Sequence, residues 1–209
     1  MNRKPISRRE FMRWSGLGAI ALLGGGVYNR TFPKPLIPDL PNGVKLASLH
    51  SQMGEFMPDA EVLITASEQY VQILSGAQTR VYSYYGELLN GSGVTVQSIP
   101  GSYLGPILRV RKGTNIRIIF QNNLAEDSVI HPHGLRVPED ADGQPMQAIK
   151  PGDVKHYDFQ VVDRACPAWF HPHPHMRTAE QVALGLAGLF YVTDDEEALA
   201  VPGADTGAN

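Results

Sequence analysis

From residue 61 onward, short apolar runs alternate with polar positions and are separated by glycine and proline. In segments 107–111 and 115–120, apolar residues alternate with arginine, which is typical of a strand with one buried face. Other β-rich runs occupy segments 62–64, 71–74, 80–85, 154–161 and 186–193, and residues 90–102 are rich in turn-forming residues. Many short strands separated by such turns predict an all-β domain, specifically a β-sandwich.

The first thirty residues have a different pattern. Residues 1–10 are polar and basic, and residues 14–27 are apolar and rich in small side chains. This apolar run is too short to cross a bilayer of about 30 Å as a helix, and it predicts the core of a signal peptide. The preceding segment 7–12 (SRREFM) resembles a twin-arginine export signal, which would direct the chain to the periplasm. An amphipathic helix and an uncleaved membrane anchor are the alternatives.

The pattern divides the chain into four parts. We expect a signal peptide at 1–30 and an extended linker at 31–60, which contains five prolines. A β-sandwich domain is expected at 61–195. Residues 196–209 are expected to be a carboxy-terminal tail or the start of a missing interdomain segment.

Charge and cysteine content exclude some functions. The net charge is −3, and because the first thirty residues carry +5, the rest of the chain carries −8. An acidic domain of this kind argues against nucleic acid as a partner. The single cysteine, Cys166, excludes an internal disulfide framework.

Five of the seven histidines fall between positions 131 and 175, in the sequences HPH (131–133) and HPHPH (171–175). On a strand, residues i and i+2 project from one face, with their Cα atoms about 6.5–7 Å apart. Two such pairs on adjacent strands would bring four imidazoles to one pocket, a donor set suited to copper, zinc, iron or nickel. Neither several thiolates nor several carboxylates accompany them, which argues against a Cys-rich zinc site and against calcium.

The alternative is that these are incidental surface histidines. His50 and His156 stand alone, and each is interpreted as a solvated or core histidine rather than a ligand. His175 continues the i+2 spacing and is assigned an outer-shell or entry role.

The histidine pairs belong to a longer series of motifs. These are His131-x-His133-Gly134-Leu135, Asp142-Gly143-x-Pro145, Pro151-Gly152, WFHPHPH at 169–175 and GLAGL at 185–189. Together they resemble the first cupredoxin domain of multicopper oxidases, most of all the bacterial periplasmic copper-efflux oxidases, over roughly residues 60–193. The resemblance implies a cupredoxin-like, Greek-key β-sandwich and a copper cofactor.

The resemblance also implies roles for single residues. His131 would bind the type 2 copper of a trinuclear cluster, and His133, His171 and His173 would bind the type 3 pair. Asp142 would help to supply protons to oxygen bound at the cluster; by itself it would be read as a turn residue before Gly143. Where this chain has Pro132, the family usually has tryptophan.

The resemblance covers only part of such an enzyme. The family's type 1 copper motifs, H-x-x-H-x-H and H-C-H, do not occur in the sequence, and Cys166 is interpreted as a small buried thiol. We therefore expect a copper-binding domain that is inactive by itself. It would be a fragment of a longer oxidase, a chain that pairs with a separate domain, or a stand-alone copper binder.

With the missing cupredoxin domains or a complementary chain, the resemblance implies reduction of oxygen to water. The electrons would come from cuprous ions or phenol-like donors. The alternatives are a non-catalytic module that sequesters periplasmic copper and a structural protein that retains the cupredoxin fold.

Overall fold

The computed structural model describes residues 56–196 of the chain, and these residues form two β-sheets packed face to face. The strands, in chain order, are β1 (Ala60–Val71), β2 (Thr79–Gly91), β3 (Val94–Gln97), β4 (Ile107–Arg111), β5 (Asn115–Asn122), β6 (Ile130–His133), β7 (Val154–Gln160), β8 (Cys166–Pro172) and β9 (Gly188–Thr193). The helical elements are α1 (Thr178–Leu184) and two single-turn 3-10 helices, Glu139–Ala141 and Pro145–Gln147. The β-sandwich predicted from the strand pattern is therefore confirmed.

Two predicted segments differ from the structure in their strand content. The run at 71–74 is not a strand, because β1 ends at Val71, where it pairs with Thr79, and the chain then turns back toward β2. Ile73 and Leu74 are consequently exposed in the connecting loop. The turn-rich segment 90–102 does contain a strand, the four-residue β3.

The predicted signal peptide at 1–30 and most of the predicted linker at 31–60 lie outside the described residues, as does the tail beyond residue 196. Within residues 56–196, no helix is both long and apolar enough to cross a membrane.

The strand order places the two histidine-bearing strands side by side. One sheet has the order β2-β1-β5-β7, and the other has the order β3-β4-β9-β8-β6. The pairs β1–β5 and β4–β9 are parallel, and the remaining pairs are antiparallel. Strand β6 therefore lies at the edge of the five-stranded sheet, with β8 as its neighbour.

Apolar side chains from both sheets fill the space between them. The following core residues are at most 2% exposed: Ile64, Leu108, Ile116, Phe120, Phe170 and Phe190. Tyr84 joins the two layers, because its ring centroid lies 6.3 Å from that of Phe120 and 5.5 Å from that of Phe170. Each buried side chain of this size stabilises the fold by about 1.5–3 kcal/mol, so the packing of Phe170 fixes β8 firmly onto the core.

Strand β5 was predicted to be half-buried, but it is buried on both faces, including Arg117, which is 1% exposed. The guanidinium of Arg117 donates two hydrogen bonds of 2.7 Å to Asp158 on β7 and lies 3.5 Å from Glu61 on β1. Both acids stand opposite Arg117 in the strand register. Because carboxylates from both neighbouring strands compensate its charge, the arginine is tolerated in the interior.

We expect Asp158→Ala to lower the free energy of unfolding by about 3 kcal/mol, because it leaves the buried Arg117 charge without its bidentate partner. Urea denaturation measures this change. The matched control is Glu68→Ala, which breaks the exposed ion pair with Arg80 and is expected to cost less than about 1 kcal/mol. Equal losses in the two variants would contradict the stabilising role of the buried pair.

Candidate metal centre

Strand pairing brings the histidines together. His131 on β6 stands directly opposite His171 on β8, and His133 stands opposite Trp169. Because side chains alternate along a strand and opposed residues share a face, His131, His133 and His171 all project from the outer face of the five-stranded sheet. His173 lies one residue beyond the end of β8. The expectation that the two pairs stand on adjacent strands is thus met for three of the four histidines.

The four imidazole rings form one compact group, which we call the histidine cluster (His131, His133, His171 and His173). The ring centroid of His131 lies 5.4 Å from that of His133, 5.3 Å from that of His171 and 5.5 Å from that of His173. Possible ligand atoms of His131, His133 and His171 all lie within 4.8 Å of one another. The arrangement can therefore direct several nitrogen donors at the same small volume.

Hydrogen bonds fix the tautomers of two rings. The Nδ1–H of His131 donates to the backbone carbonyl of Asp142 at 2.6 Å, and the Nδ1–H of His171 donates to the carbonyl of Pro172 at 2.9 Å. In each neutral ring, the proton on Nδ1 leaves a lone pair on Nε2. Carbonyl groups that hold the distal N–H in this way are the usual outer partners of metal-binding histidines.

The donor set fits a metal such as copper. The Nε2 of His171 and the Nδ1 of His133 are 3.3 Å apart. Metal–nitrogen bonds of about 2.0–2.1 Å, as in tetrahedral sites, put two ligand atoms about 3.3 Å apart. Burial lowers the pKa of His171, and the three neighbouring histidines lower that pKa further, which favours the neutral, ligating form.

His173 differs from the other three rings. Its Nδ1 is buried and has no hydrogen-bond partner among residues 56–196. An unpaired buried ring nitrogen costs roughly 1–3 kcal/mol, so it is expected to gain a partner in the working protein.

Trp169 contacts two of the rings. Its indole stacks on His171, with ring centroids 4.2 Å apart and planes inclined by 30°, and its centroid lies 5.4 Å from that of His133. The stack restricts rotation of the His171 ring. The sequence motif includes Trp169, but the contact of Trp169 with the cluster was not predicted. The signal for it is the spacing, because residues 169 and 171 lie two positions apart on a strand and so project from the same face.

A tight turn brings Asp142 to the cluster. Gly143 has a φ of 70°, and a Cβ built there would lie 1.8 Å from the carbonyl oxygen of Ile130, so only glycine allows this approach to β6. The side-chain oxygen of Gln147 accepts hydrogen bonds from the backbone N–H of Gly143 (3.0 Å) and of Gln144 (3.2 Å). The carboxylate of Asp142 consequently lies 3.5 Å from the Nδ1 of His131 and accepts a hydrogen bond from the Gln144 amide.

The remaining candidates are not among the four residues of the histidine cluster. His156 is on β7 in the other sheet, His175 is exposed, and His50 lies outside the described residues. Cys166 is at the opposite end of β8 from His171 and is only partly buried, so the interpretation as a buried thiol is met only in part. Burial nevertheless raises the pKa of the Cys166 thiol, with nearby Asp163 and Asp194 adding to the effect.

Comparison with known proteins finds related sequences. A sequence model of the family described as "Multicopper oxidase" matches residues 81–197. The multicopper oxidase mco of Staphylococcus aureus is 36% identical over 168 residues, which are 80% of this chain and 31% of that protein. Cell division protein FtsP of Escherichia coli (strain K12) is 34% identical over 113 residues, which are 54% of this chain and 24% of that protein.

Solved structures give the same result. The crystal structure of the McoA multicopper oxidase from Aquifex aeolicus superimposes with a TM-score of 0.57 at 36% identity, covering 69% of this chain and 29% of that one. The chain therefore spans less than a third of the length of these relatives. The structural match confirms the cupredoxin-like sandwich. Since the family model extends over more than half of its residues, the chain belongs to the multicopper oxidase family.

Proposed function

We propose that this chain is the copper-binding amino-terminal part of a multicopper oxidase, and that its histidine cluster provides part of a trinuclear copper site. The observation that carries the proposal is the convergence of four imidazoles on one face of the sandwich. When bound, such a copper site accepts electrons and passes them to oxygen, which is reduced to water. Membership of the family supports copper as the metal.

We assign His131 to the type 2 copper and His133, His171 and His173 to the type 3 pair. The 3.3 Å separation between the Nδ1 of His133 and the Nε2 of His171 supports their sharing a single ion. The ring of His131 is oriented separately from the other rings, because its Nδ1–H donates a hydrogen bond to the backbone carbonyl of Asp142. The assignment gives each of the four rings one ligand bond.

Asp142 is proposed to deliver protons during oxygen reduction. Its carboxylate stands within 3.5 Å of the His131 ring and is about a quarter exposed, so it can exchange protons with water while remaining beside the cluster. The amide of Gln144 donates to its Oδ2 and so orients the carboxylate. A general acid placed in this way contributes typically 10²–10⁴-fold to a rate.

Four histidines are too few to hold three copper ions, so the proposal includes partners. We infer that further cupredoxin domains, on the same or a complementary chain, bring the remaining ligands to the outer face of the five-stranded sheet. This face also presents the apolar side chains of Trp169 and Leu189 and the ring of Tyr191, on which Arg109 stacks at 5.1 Å. Electrons would come from cuprous ions or a phenol-like donor, and the motif at residues 7–12 supports export to the periplasm.

A second candidate function is a module without catalysis, either a copper-sequestering protein or a structural one. The observation that favours this second candidate is the 34% identity of the chain to a protein named for cell division. The clustered rings distinguish the two versions, since a purely structural protein has no need for four converging imidazoles.

We expect the purified chain to bind Cu(II) through the cluster, and the double variant His131→Ala/His171→Ala to bind at least tenfold more weakly, since it lacks two ligands. Isothermal titration calorimetry measures the dissociation constants. The matched control is His156→Gln, which alters a histidine of the other sheet and is expected to leave the affinity unchanged. Equal affinities for the wild type and the double variant would contradict the assignment of these ligands.

We expect no oxygen consumption by the copper-loaded chain alone, and turnover once the missing cupredoxin domains are added. An oxygen electrode, with cuprous ion or a phenol as donor, measures both. Absence of turnover in both arms would reject the oxidase and leave the sequestering or structural function.

In the complemented enzyme, Asp142→Asn is expected to slow turnover about 10²-fold without loss of bound copper, because the amide cannot release a proton. Oxygen consumption and copper content are measured on the same samples. Asp153→Asn, an exposed acid on the loop before β7, serves as the control and is expected to retain full turnover. A parallel loss of copper from Asp142→Asn would show that Asp142 instead supports His131.

A further inference from the structure

The ladder that joins the two histidine-bearing strands is short. Only four residue pairs connect β6 with β8, and they include Pro132 and Pro172, which have no backbone N–H. His173 lies beyond the last pair, so the ladder does not fix its position. Other contacts must therefore hold the segment with His173 against the segment with His131.

A buried amide joins these two segments. Gln181 lies in α1, which follows the HPHPH sequence, and it is 0% exposed. Its side-chain oxygen accepts a hydrogen bond of 2.9 Å from Ser128, whose side chain is also fully buried. Its NH₂ donates to the Oε1 of Glu126 at 3.1 Å and to the carbonyl of Asp127 at 2.9 Å.

All three partners of this amide come from residues 126–128, immediately before β6. Both donors of the amide and one acceptor position are thus used within a single loop. Buried polar groups satisfied in this way specify a unique packing, since displacing them leaves several groups unpaired at once.

Hydrogen bonds at the start of α1 connect the helix that contains Gln181 to the second histidine pair. Within the first turn of α1, the Thr178 hydroxyl donates to the carbonyl of Pro174 at 3.0 Å, and the Arg177 N–H donates to the same carbonyl at 3.2 Å. Pro174 directly follows His173. At the other end of the helix, the carbonyl of Gln181 accepts from the N–H of Leu186 at 3.1 Å, which secures the exit toward β9.

We propose that Gln181 is a positioning residue for the histidine cluster, and that it sets the distance between the rings of His173 and His131. The His131–His171 distance depends instead on the β6–β8 ladder. Arg177 also forms an ion pair with Glu126, which links the same two segments. Because Arg177 is nearly half exposed, we expect this ion pair to contribute little to holding the segments together. The inference rests on the proposed function only for its effect on copper affinity.

Nuclear magnetic resonance of the metal-free chain tests the assignment. Gln181→Met keeps the length of the side chain but removes its donors and acceptor. We expect this variant to lose the ring-proton NOEs between His131 and His173, which are 5.5 Å apart by centroid, and to keep those between His131 and His171. Retention of the His131–His173 NOEs in Gln181→Met would overturn the proposal.

A control separates positioning from general stability. Ile116→Ala truncates a fully buried side chain of β5 in the other sheet, and it is expected to lower Tm while preserving both sets of NOEs. If Gln181→Met does not fold, the Ser128→Ala variant tests the proposal instead, since it removes only the hydroxyl that donates to Gln181. Shifted His173 ring resonances in Ser128→Ala would support the proposal, and unchanged ones would overturn it.

Copper titration adds an independent arm. Because Gln181→Met is expected to displace His173, one of the four proposed ligands, it is expected to bind Cu(II) about tenfold more weakly than Ile116→Ala. If the wild type binds no copper, the proposed function fails, and the NOE comparison alone decides the role of Gln181. If the wild type binds copper and Gln181→Met binds equally well with its NOEs intact, only the positioning role is rejected.

Discussion

The site depends on the antiparallel pairing of β6 with β8, which sets His131 directly opposite His171. A slip of one residue would turn one of these imidazoles toward the core and the other toward solvent, because side chains alternate along a strand. Packing of Phe170 against Tyr84 and Gly188 opposes such a slip, since its ring occupies the space that a side chain at position 188 would need. The core therefore fixes the register, and the register places the rings of the histidine cluster.

The outer interactions of the cluster follow from the same register. With His131 facing outward, its Nδ1 meets the turn that contains Asp142, and with His171 facing outward, its ring lies between Trp169 and His133. These contacts fix tautomer and ring orientation before any metal arrives, so the protein carries much of the cost of organising a metal site in its folding.

Much of this could be predicted from the sequence, and the exceptions have physical causes. The period-two spacing of His131 and His133 and the alternating run at β4 depend only on local geometry, and the structure agrees with them. The burial of Arg117 could not be predicted, because it requires acids on two strands distant in sequence. Helix α1 and the contacts of Gln181 were missed for a similar reason, since seven residues carry little periodic signal and the partners lie more than fifty positions away.

The two prolines of the β6–β8 ladder have a consequence for a domain that exposes its sheet edge. β6 is a short edge strand and contains Pro132, which has no backbone N–H. Short edges interrupted by proline resist the edge-to-edge association that leads to aggregation. Growth of the sheet by addition of a foreign strand at β6 is thus disfavoured.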